Sequence, residues 1–196
     1  MKLIFATNNP NKVKEIRSLL ADKGYEIISL KEAGIDIDIP EPYETLHENA
    51  SAKSGTIYKM TGISCFSEDT GLEVTALNGE PGVKSARYAG ENKSFEANID
   101  KLLLNLAGEN DRSARFRTVI SLIIDGKETL FEGICEGHII LERKGNGGFG
   151  YDPVFQPKGY STTFAEMSLE EKAAISHRGR ATVKLVTFLN TLAANT

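Results

Sequence analysis

The chain has 196 residues, 40% of them hydrophobic and 26% charged, which is typical of one globular domain with a substantial core over residues 1–196. Its net charge of −4 argues against nucleic-acid and membrane-surface binding, which normally require a basic excess. No apolar run reaches membrane-spanning length, and Cys65 and Cys135 lack metal-binding or redox spacing. We therefore expect a cytoplasmic protein with two reduced thiols.

The first predicted elements alternate between strand and helix. Residues 2–6 are expected to form a short buried strand. A helix should follow, with Asn9 as its N-cap and Pro10 at its first position, and should stop near Gly24. Residues 35–39 alternate isoleucine with aspartate, which predicts an edge strand or another extended segment.

A second helix is predicted to begin at Thr45 and to run toward Met60. Thr45 and Glu48 have the spacing of a capping box, in which each side chain satisfies a backbone group at the helix start. Residues 63–66 are then expected to form a buried strand that ends in a turn at residues 68–71.

The second half of the sequence predicts a helix after Ser94 and a hairpin over residues 115–135, with its turn at Asp125 and Gly126. A further helix over residues 168–175 opens with a capping box. A last helix has its apolar face at Leu185, Val186, Leu189, Leu192 and Ala193. Early alternation followed by a hairpin predicts an α/β domain whose mixed sheet is flanked by helices.

A glycine-rich segment at residues 145–157 is the candidate pocket. Its glycines match the dinucleotide-binding pattern G-x-G-x-x-G, but that pattern requires a helix beginning at the last glycine. Two prolines that follow oppose such a helix. We therefore interpret the segment as a tightly turned loop that presents Phe149, Tyr151 and Asp152.

Two groups of charged residues are candidates for phosphate and metal chemistry. The start of the first helix, with Lys12, would stabilise a phosphate, although an ordinary capped turn is the commoner use of such a sequence. Glu44, Glu68 and Asp69 would suit Mg²⁺ or the activation of a water. The equally weighted alternative is that these acids only cap a helix and a turn.

Four further cations are ambiguous by themselves. Lys53 and Lys172 on helices are ordinarily solvated surface residues. His177 and Arg178 both present hydrogen-bond donors, which would suit a carbonyl acceptor, and adjacency of Ser176 and His177 does not indicate a hydrolase pair.

Seven motifs occur in order along nearly the whole chain. They are T-N-N-P-N-K at 7–12, E-T-x-x-E-N-A-x-x-K at 44–53, S-E-D-T-G-L at 67–72, P-G-V-x-S-A-R-Y-A-G at 81–90, G-F-G-Y-D-P-V-F at 148–155, F-A-E-M at 164–167, and E-K-x-x-x-S-H-R at 171–178. Together they resemble the inosine/xanthosine triphosphate pyrophosphatase family, which clears non-standard purine nucleotides. His47, Glu68 and Lys84 depart from the commoner residues of that family.

The resemblance implies an elongated α/β fold with a mixed β-sheet, two lobes and the active site in the cleft between them. It also implies a homodimer and Mg²⁺-dependent hydrolysis of ITP, dITP and XTP to the nucleoside monophosphate and pyrophosphate. Asp69 would be the catalytic residue and principal metal ligand, supported by Glu44 and Glu68. The implied substrate-binding residues are Thr7, Asn8, Asn9, Pro10, Asn11, Lys12, Lys53, Thr70, Phe149, Gly150, Tyr151, Asp152, Lys172, His177 and Arg178.

Base selection follows from hydrogen-bond chemistry if Arg178 reads the base. Hypoxanthine and xanthine present a 6-oxo acceptor, whereas adenine presents a 6-amino donor, and Arg178 can only donate. Three alternatives stay open: a related pyrophosphatase for pyrimidine or modified triphosphates, a nucleotide-binding module without hydrolysis, and a dinucleotide-dependent oxidoreductase that only the glycine pattern suggests.

Overall fold

The computed structural model describes residues 1–194. Within that range the helices are α1 (Pro10–Leu20), α2 (Leu46–Thr61), α3 (Phe95–Asn105), α4 (Leu169–Ile175) and α5 (His177–Ala194). The strands are β1 (Lys2–Phe5), β2 (Glu26–Ser29), β3 (Cys65–Val74), β4 (Pro81–Gly82), β5 (Ser113–Ile124), β6 (Lys127–Ile139) and β7 (Phe155–Pro157). None of the helices described over residues 1–194 is long and apolar enough to span a membrane.

The strands form a mixed sheet, as the sequence predicts. Their order is β2-β1-β3-β5-β6-β7, and β4 pairs with β3. β1 runs parallel to β2 and β3, whereas the β3–β4 and β6–β7 pairs are antiparallel. The predicted hairpin between β5 and β6 is confirmed, and Asp125 and Gly126 both adopt the positive φ that a tight two-residue turn requires.

The chain divides into two compact units. The first unit comprises residues 1–69, 118–133 and 178–196, and the second comprises residues 70–117 and 134–177. Three strands therefore contribute residues to both units, since the divisions fall inside β3, β5 and β6.

The first unit has a helix layer on each face of its strands. Leu3 and Phe5 of β1 pack with the apolar residues of α1 and α5, including Ile16 and Leu185. Ile4 lies in a separate cluster with Ile57 of α2. Because successive side chains of a strand point to opposite faces, this alternation in β1 explains why α2 lies opposite α1 and α5.

The second unit has one aromatic-rich core. Ile99 and Leu102 of α3 pack in it against residues from β5, β6 and β7. Within this core the ring of Phe116 lies 4.6 Å from that of Phe155 and 6.0 Å from that of Phe164. The helix layers of both units confirm the prediction of helices flanking a mixed sheet.

The predicted helix starts are confirmed because each has a side chain that satisfies an exposed backbone N–H group. Asn9, Thr45, Ser94 and Ser168 are the N-caps of α1, α2, α3 and α4. Ser168 forms a complete capping box with Glu171. In α2 the Glu48 side chain instead accepts from the Thr45 hydroxyl at 2.7 Å.

The strand predictions differ from the structure at three places. β2 is an additional strand that the sequence pattern does not predict. Residues 35–39 are not an edge strand, which leaves the alternative of an extended segment, and their isoleucines pack partly buried against the Ile4 cluster. The predicted turn at residues 68–71 does not form, since β3 continues to Val74. Gly71 permits this continuation: a side chain there would lie 2.7 Å from the carbonyl oxygen of Gly82 in β4.

Candidate active site

The start of α1 is a braced turn that presents Lys12. The side-chain oxygen of Asn9 accepts from the backbone N–H groups of Asn11 at 2.9 Å and Lys12 at 3.3 Å. Thr7 in turn accepts from the N–H of Asn9 at 3.2 Å, and Asn8 donates to the Ile37 carbonyl at 2.8 Å. The Asn9 side chain thus already accepts from two of the backbone N–H groups that were expected to bind a phosphate. Lys12 is therefore the main source of positive charge for a phosphate at this turn.

A buried charge network, made of Lys12, Glu15, Glu68 and Arg178, lies below this turn in the first unit. Arg178 binds both oxygens of Glu68, from Nε and Nη2 at 2.7 Å each. Its Nη1 donates to Glu15 at 2.5 Å, and Lys12 lies 3.2 Å from Glu68. The two positive charges of this network equal its two negative charges. Arg178 can therefore be only 1% exposed, because a buried charge is tolerated when it is paired.

The network fixes the protonation of its members. Burial alone would raise the pKa of Glu68, but the positive charges of Arg178 and Lys12 outweigh burial and hold that pKa well below its usual range. Burial would likewise lower the pKa of Arg178, and the carboxylates of Glu68 and Glu15 raise it instead. Glu68 and Arg178 are therefore charged throughout the physiological pH range.

A second group of charges in the first unit, the Asp69 cluster, consists of Glu41, Lys53 and Asp69. Lys53 donates to Glu41 and lies 3.4 Å from Oδ1 of Asp69. Oδ2 of Asp69 is buried and has no hydrogen-bond partner among residues 1–194. A carboxylate oxygen in that condition is costly unless a proton, a water or a cation satisfies it.

Electrostatics in the Asp69 cluster favour an added cation. Burial raises the pKa of Asp69 and the negative charge of Glu41 adds to the shift, so that Lys53 and Lys12 compensate only in part. Burial also opposes the charge of Lys53, but Asp69 and Glu41 together raise the pKa of its ammonium. Asp69 is thus a carboxylate with unmet demand for positive charge.

The three carboxylates expected to hold a metal ion lie in different surroundings. Glu44 is exposed at the residue before the α2 cap, and both oxygens of Glu68 are engaged by Arg178. Over residues 1–194 no three His, Cys, Asp or Glu side chains are grouped so as to hold a metal ion. Asp69, Glu44 and Glu68 are thus not grouped as three carboxylates in this structure, and their assignment as metal ligands stays a prediction.

Glu41, which lies three residues before Glu44, contacts Lys53 of the Asp69 cluster. Asn49 of α2 is 1% exposed and pins the backbone of Tyr43, accepting from its N–H at 3.0 Å and donating to its carbonyl at 3.1 Å. This clamp folds the segment back along α2, which brings Glu41 to Lys53. The signal for Glu41 in the sequence is the repeated acid in E-P-Y-E, whose first member is Glu41 and whose second is Glu44.

The glycine-rich loop, residues 145–150, is the corresponding feature of the second unit. Gly147 donates to the carbonyl of Ala165 at 3.0 Å, and a side chain at Gly145 would lie 2.5 Å from that same residue's backbone. A three-residue 3₁₀ turn, Asp152–Val154, follows Gly150 in place of a helix. No helix begins at Gly150, so the segment does not have the structure that a dinucleotide-binding G-x-G-x-x-G pattern requires.

Three predicted pocket residues come together beside this loop. Oδ2 of Asp152 accepts from the backbone N–H of Phe149 at 3.0 Å and from Nζ of Lys172 at 2.5 Å. That ammonium lies 5.0 Å from the centroid of the Phe149 ring and 5.4 Å from that of Phe164, within cation–π range. Asp152 and Lys172 are only 3% and 4% exposed, so the pair is built into the unit.

Other predicted pocket residues are part of the core in this structure. The ring of His177 is 2% exposed and stacks on Phe116 at 4.5 Å. Tyr151 is buried, and its hydroxyl donates to the Ser85 carbonyl at 2.7 Å, while burial raises its pKa. Thr70 lies partly exposed in β3, next to Asp69 in sequence.

Comparison with known proteins places this arrangement in a family. The model of the Ham1 family matches residues 3–188. A protein from Flavobacterium psychrophilum named dITP/XTP pyrophosphatase is 52% identical over 188 residues, covering 96% of this chain and 98% of its own. One of the same name from Porphyromonas gingivalis is 53% identical over 189 residues, covering 96% and 97%.

A solved structure agrees with this placement. The Ham1 protein of Staphylococcus aureus superimposes with a TM-score of 0.87 at 42% identity, covering 97% of this chain and 99% of its own. A family model that spans nearly the whole chain, close relatives of the same length and a shared fold all agree, and the chain therefore belongs to the Ham1 family.

Proposed function

We propose that this protein hydrolyses non-standard purine nucleoside triphosphates, ITP, dITP and XTP, to the nucleoside monophosphate and pyrophosphate. The observation that carries the proposal is the buried Oδ2 of Asp69, without a hydrogen-bond partner among residues 1–194 and beside Lys53, in a family whose close relatives are named dITP/XTP pyrophosphatases. Such a carboxylate is suited to handling a metal ion and a water.

Mg²⁺ fits the Asp69 cluster. It prefers a few carboxylate oxygens, waters and substrate phosphates over a complete protein cage, which matches one unsatisfied carboxylate oxygen with no three-ligand group among residues 1–194. Asp69 would hold the ion, with Glu41 as the supporting carboxylate. When bound, the ion supplies positive charge to the triphosphate oxygens.

The chain's own residues would perform the remaining steps. We assign triphosphate binding to residues 7–12 and Lys53. The ammonium groups of Lys12 and Lys53 counter the negative charge of the triphosphate. A water attacks the α-phosphorus, the bond from that phosphorus to the bridging oxygen breaks, and pyrophosphate leaves with the electron pair. The Asp69 carboxylate orients this water and accepts its proton.

Base recognition is assigned to Thr70, to residues 149–152, and to Lys172, His177 and Arg178. Phe149 supplies a ring on which a purine stacks, and Lys172 is held at that ring by Asp152. Protein donors in this pocket would pair with the 6-oxo acceptor of hypoxanthine or xanthine. The same donors would face the 6-amino donor of adenine, which cannot accept their hydrogen bonds. Arg178 already donates three hydrogen bonds to Glu68 and Glu15, so its part in selection is the least direct of these assignments.

We also propose that residues 1–196 act as one domain, because each of the two units is assembled from separate stretches of the chain. The homodimer and the cytoplasmic location remain predictions from the sequence. Light scattering on the purified protein tests the first, and fractionation of cells tests the second.

Turnover of a nucleotide panel tests the function. Purified protein is incubated with Mg²⁺ and ITP, XTP, dITP, ATP, GTP, dTTP or UTP, and products are separated by chromatography. We expect pyrophosphate with IMP, XMP or dIMP, and little turnover of ATP or GTP. Orthophosphate with a diphosphate would show the wrong bond cleaved, pyrimidine turnover would favour the related pyrophosphatase, and no turnover at all would favour a binding module.

A further inference from the structure

An exposed aromatic side chain lies against the proposed base-stacking ring. Phe95, the first residue of α3, is 37% exposed, and its ring centroid is 6.2 Å from that of Phe149, with the planes tilted by 47°. Both residues belong to the second unit. The distance and tilt fall within the range of favourable aromatic pairs.

The two halves of the glycine-rich loop are held by different means. The first half is fixed through the backbone, since Gly147 donates to Ala165. In the second half, Asp152 holds the backbone N–H of Phe149, but a backbone bond does not fix the side-chain torsions of the ring. Contacts to the ring itself must therefore set its orientation, and Phe95 and Lys172 both provide one.

The start of α3 is tied to the chain just before this loop. Arg143 donates to the carboxylate of Asp100 at 2.6 Å and to the carbonyl of Glu96 at 3.1 Å. These bonds join the first turns of α3 to the residue two positions before Gly145. Phe95 is consequently presented to Phe149 from a helix that is anchored on the same segment.

We propose that Phe95 is a positioning residue that fixes the Phe149 ring and thereby raises affinity for the purine base. This inference rests on the proposed function, in which Phe149 stacks on the base. A ring held in place before binding loses less conformational freedom when the base arrives. A polar residue would be tolerated at the exposed helix start where Phe95 lies. The contact with Phe149 gives a reason for an aromatic residue at this position.

Kinetics of Phe95 variants test the proposal. Phe95→Ala should raise KM for ITP about two- to tenfold, the range expected for loss of an aromatic pair, with kcat changed less than about twofold. Phe95→Tyr should restore the parent KM. Leu104→Ala, which removes another exposed apolar side chain of α3, is the matched control and should leave KM unchanged.

A double-mutant cycle separates positioning from a general effect. In a Phe149→Ala background, Phe95→Ala should produce no further rise in KM, because the ring it positions is gone. Equal effects of Phe95→Ala in the two backgrounds would overturn the proposal, as would a parent-like KM for Phe95→Ala itself.

A fluorescence measurement tests the contact without requiring turnover. The chain has no tryptophan, so Phe149→Trp creates a single reporter at the ring position. Adding Phe95→Ala should lower the steady-state anisotropy of that tryptophan, whereas adding Leu104→Ala should not. Unchanged anisotropy would refute positioning by Phe95, while an absence of ITP hydrolysis in the parent would instead refute the proposed function.

Discussion

Lys53 approaches only one of the two oxygens of Asp69. Its ammonium nitrogen lies 3.4 Å from Oδ1, and Oδ2 remains buried with no hydrogen-bond partner in the described part of the chain. The pairing therefore stabilises the carboxylate in place without using up its second oxygen. Asp69 is thus held by Lys53 at one oxygen, while its other oxygen can still bind a metal ion or a water.

Asp69→Asn should abolish most turnover with little change in folding. The amide keeps the shape of the side chain but neither binds a metal ion strongly nor accepts a proton, so kcat should fall by about 10²- to 10⁴-fold. Removing a buried charge should leave the thermal midpoint close to that of the parent. Steady-state kinetics and a melting curve measure the two effects, and near-parent kcat in a folded variant would contradict the assignment.

Glu41→Gln and Glu44→Gln form a matched pair that tests which of these two carboxylates supports the metal ion. Glu41 contacts Lys53, whereas Glu44 is exposed. Glu41→Gln should lower activity about tenfold or more and raise the Mg²⁺ concentration needed for half-maximal rate. Glu44→Gln should stay within about twofold of the parent, as is usual for a surface change. The reverse ranking would support Glu44, the metal ligand predicted from the sequence, over Glu41.

Helix starts were predictable from the sequence because a cap acts within a few residues. Asn9, Thr45, Ser94 and Ser168 each satisfy a backbone N–H two or three positions further on, so the local sequence contains the whole interaction. The turn at Asp125 and Gly126 was predictable for the same reason, since both residues tolerate positive φ. The motifs of the resemblance added the candidate residues.

Charge pairing could not be predicted because its partners are distant in sequence. Glu68 appeared to mark the end of a buried strand, yet β3 continues to Val74, and Arg178, 110 positions away, neutralises the buried carboxylate of Glu68. Glu41 reaches Lys53 only because Asn49 clamps the intervening backbone. Periodicity and local propensity contain no information about such pairs, so the sequence identified most of the charged residues but not which of them would meet.

Gly148→Ala and Gly150→Ala should separate steric conflict from backbone strain. Both glycines have positive φ, at +67° and +61°, and strain alone should destabilise each variant by about 1–2 kcal/mol. A side chain at Gly148 would also lie 2.0 Å from Oδ2 of Asp152, whereas nothing lies within 4 Å of one at Gly150. Denaturant titration should show a further loss of about 1–3 kcal/mol for Gly148→Ala. Equal losses would mean that Asp152 moves aside without cost.

Arg178→Lys tests whether the buried arginine contributes to base selection. Lysine keeps the charge but cannot bind both oxygens of Glu68 together, so the unfolding free energy should fall by about 1–3 kcal/mol. If the guanidinium also supports recognition of a 6-oxo group, the ratio of kcat/KM for ITP to that for ATP should fall about tenfold or more. A folded variant with an unchanged ratio would restrict Arg178 to a structural role.

Acidification should reveal the contribution of Glu68 to stability. Its pKa is lower in the folded protein than its ordinary value of 4.5, so the carboxylate stabilises the fold at every pH above that value. This stabilisation is lost as the pH falls from 4.5 through the folded pKa. Breaking the buried pair with Glu68→Gln should therefore cost about 3–5 kcal/mol near neutral pH.

Urea titrations of the parent and Glu68→Gln at pH 7, 5.5, 4 and 3 measure this dependence. The gap between their unfolding free energies should be the same at pH 7 and 5.5, because Glu68 is ionised in both the folded and the unfolded states at these pH values. It should narrow at pH 4 and further at pH 3, as the unfolded state takes up a proton that the folded state resists. Glu109→Gln, at an exposed glutamate, is the control for a surface change and should leave the unfolding free energy at pH 7 within about 0.5 kcal/mol of the parent. A Glu68→Gln gap that does not change with pH would mean that Arg178 and Lys12 do not depress the pKa of Glu68.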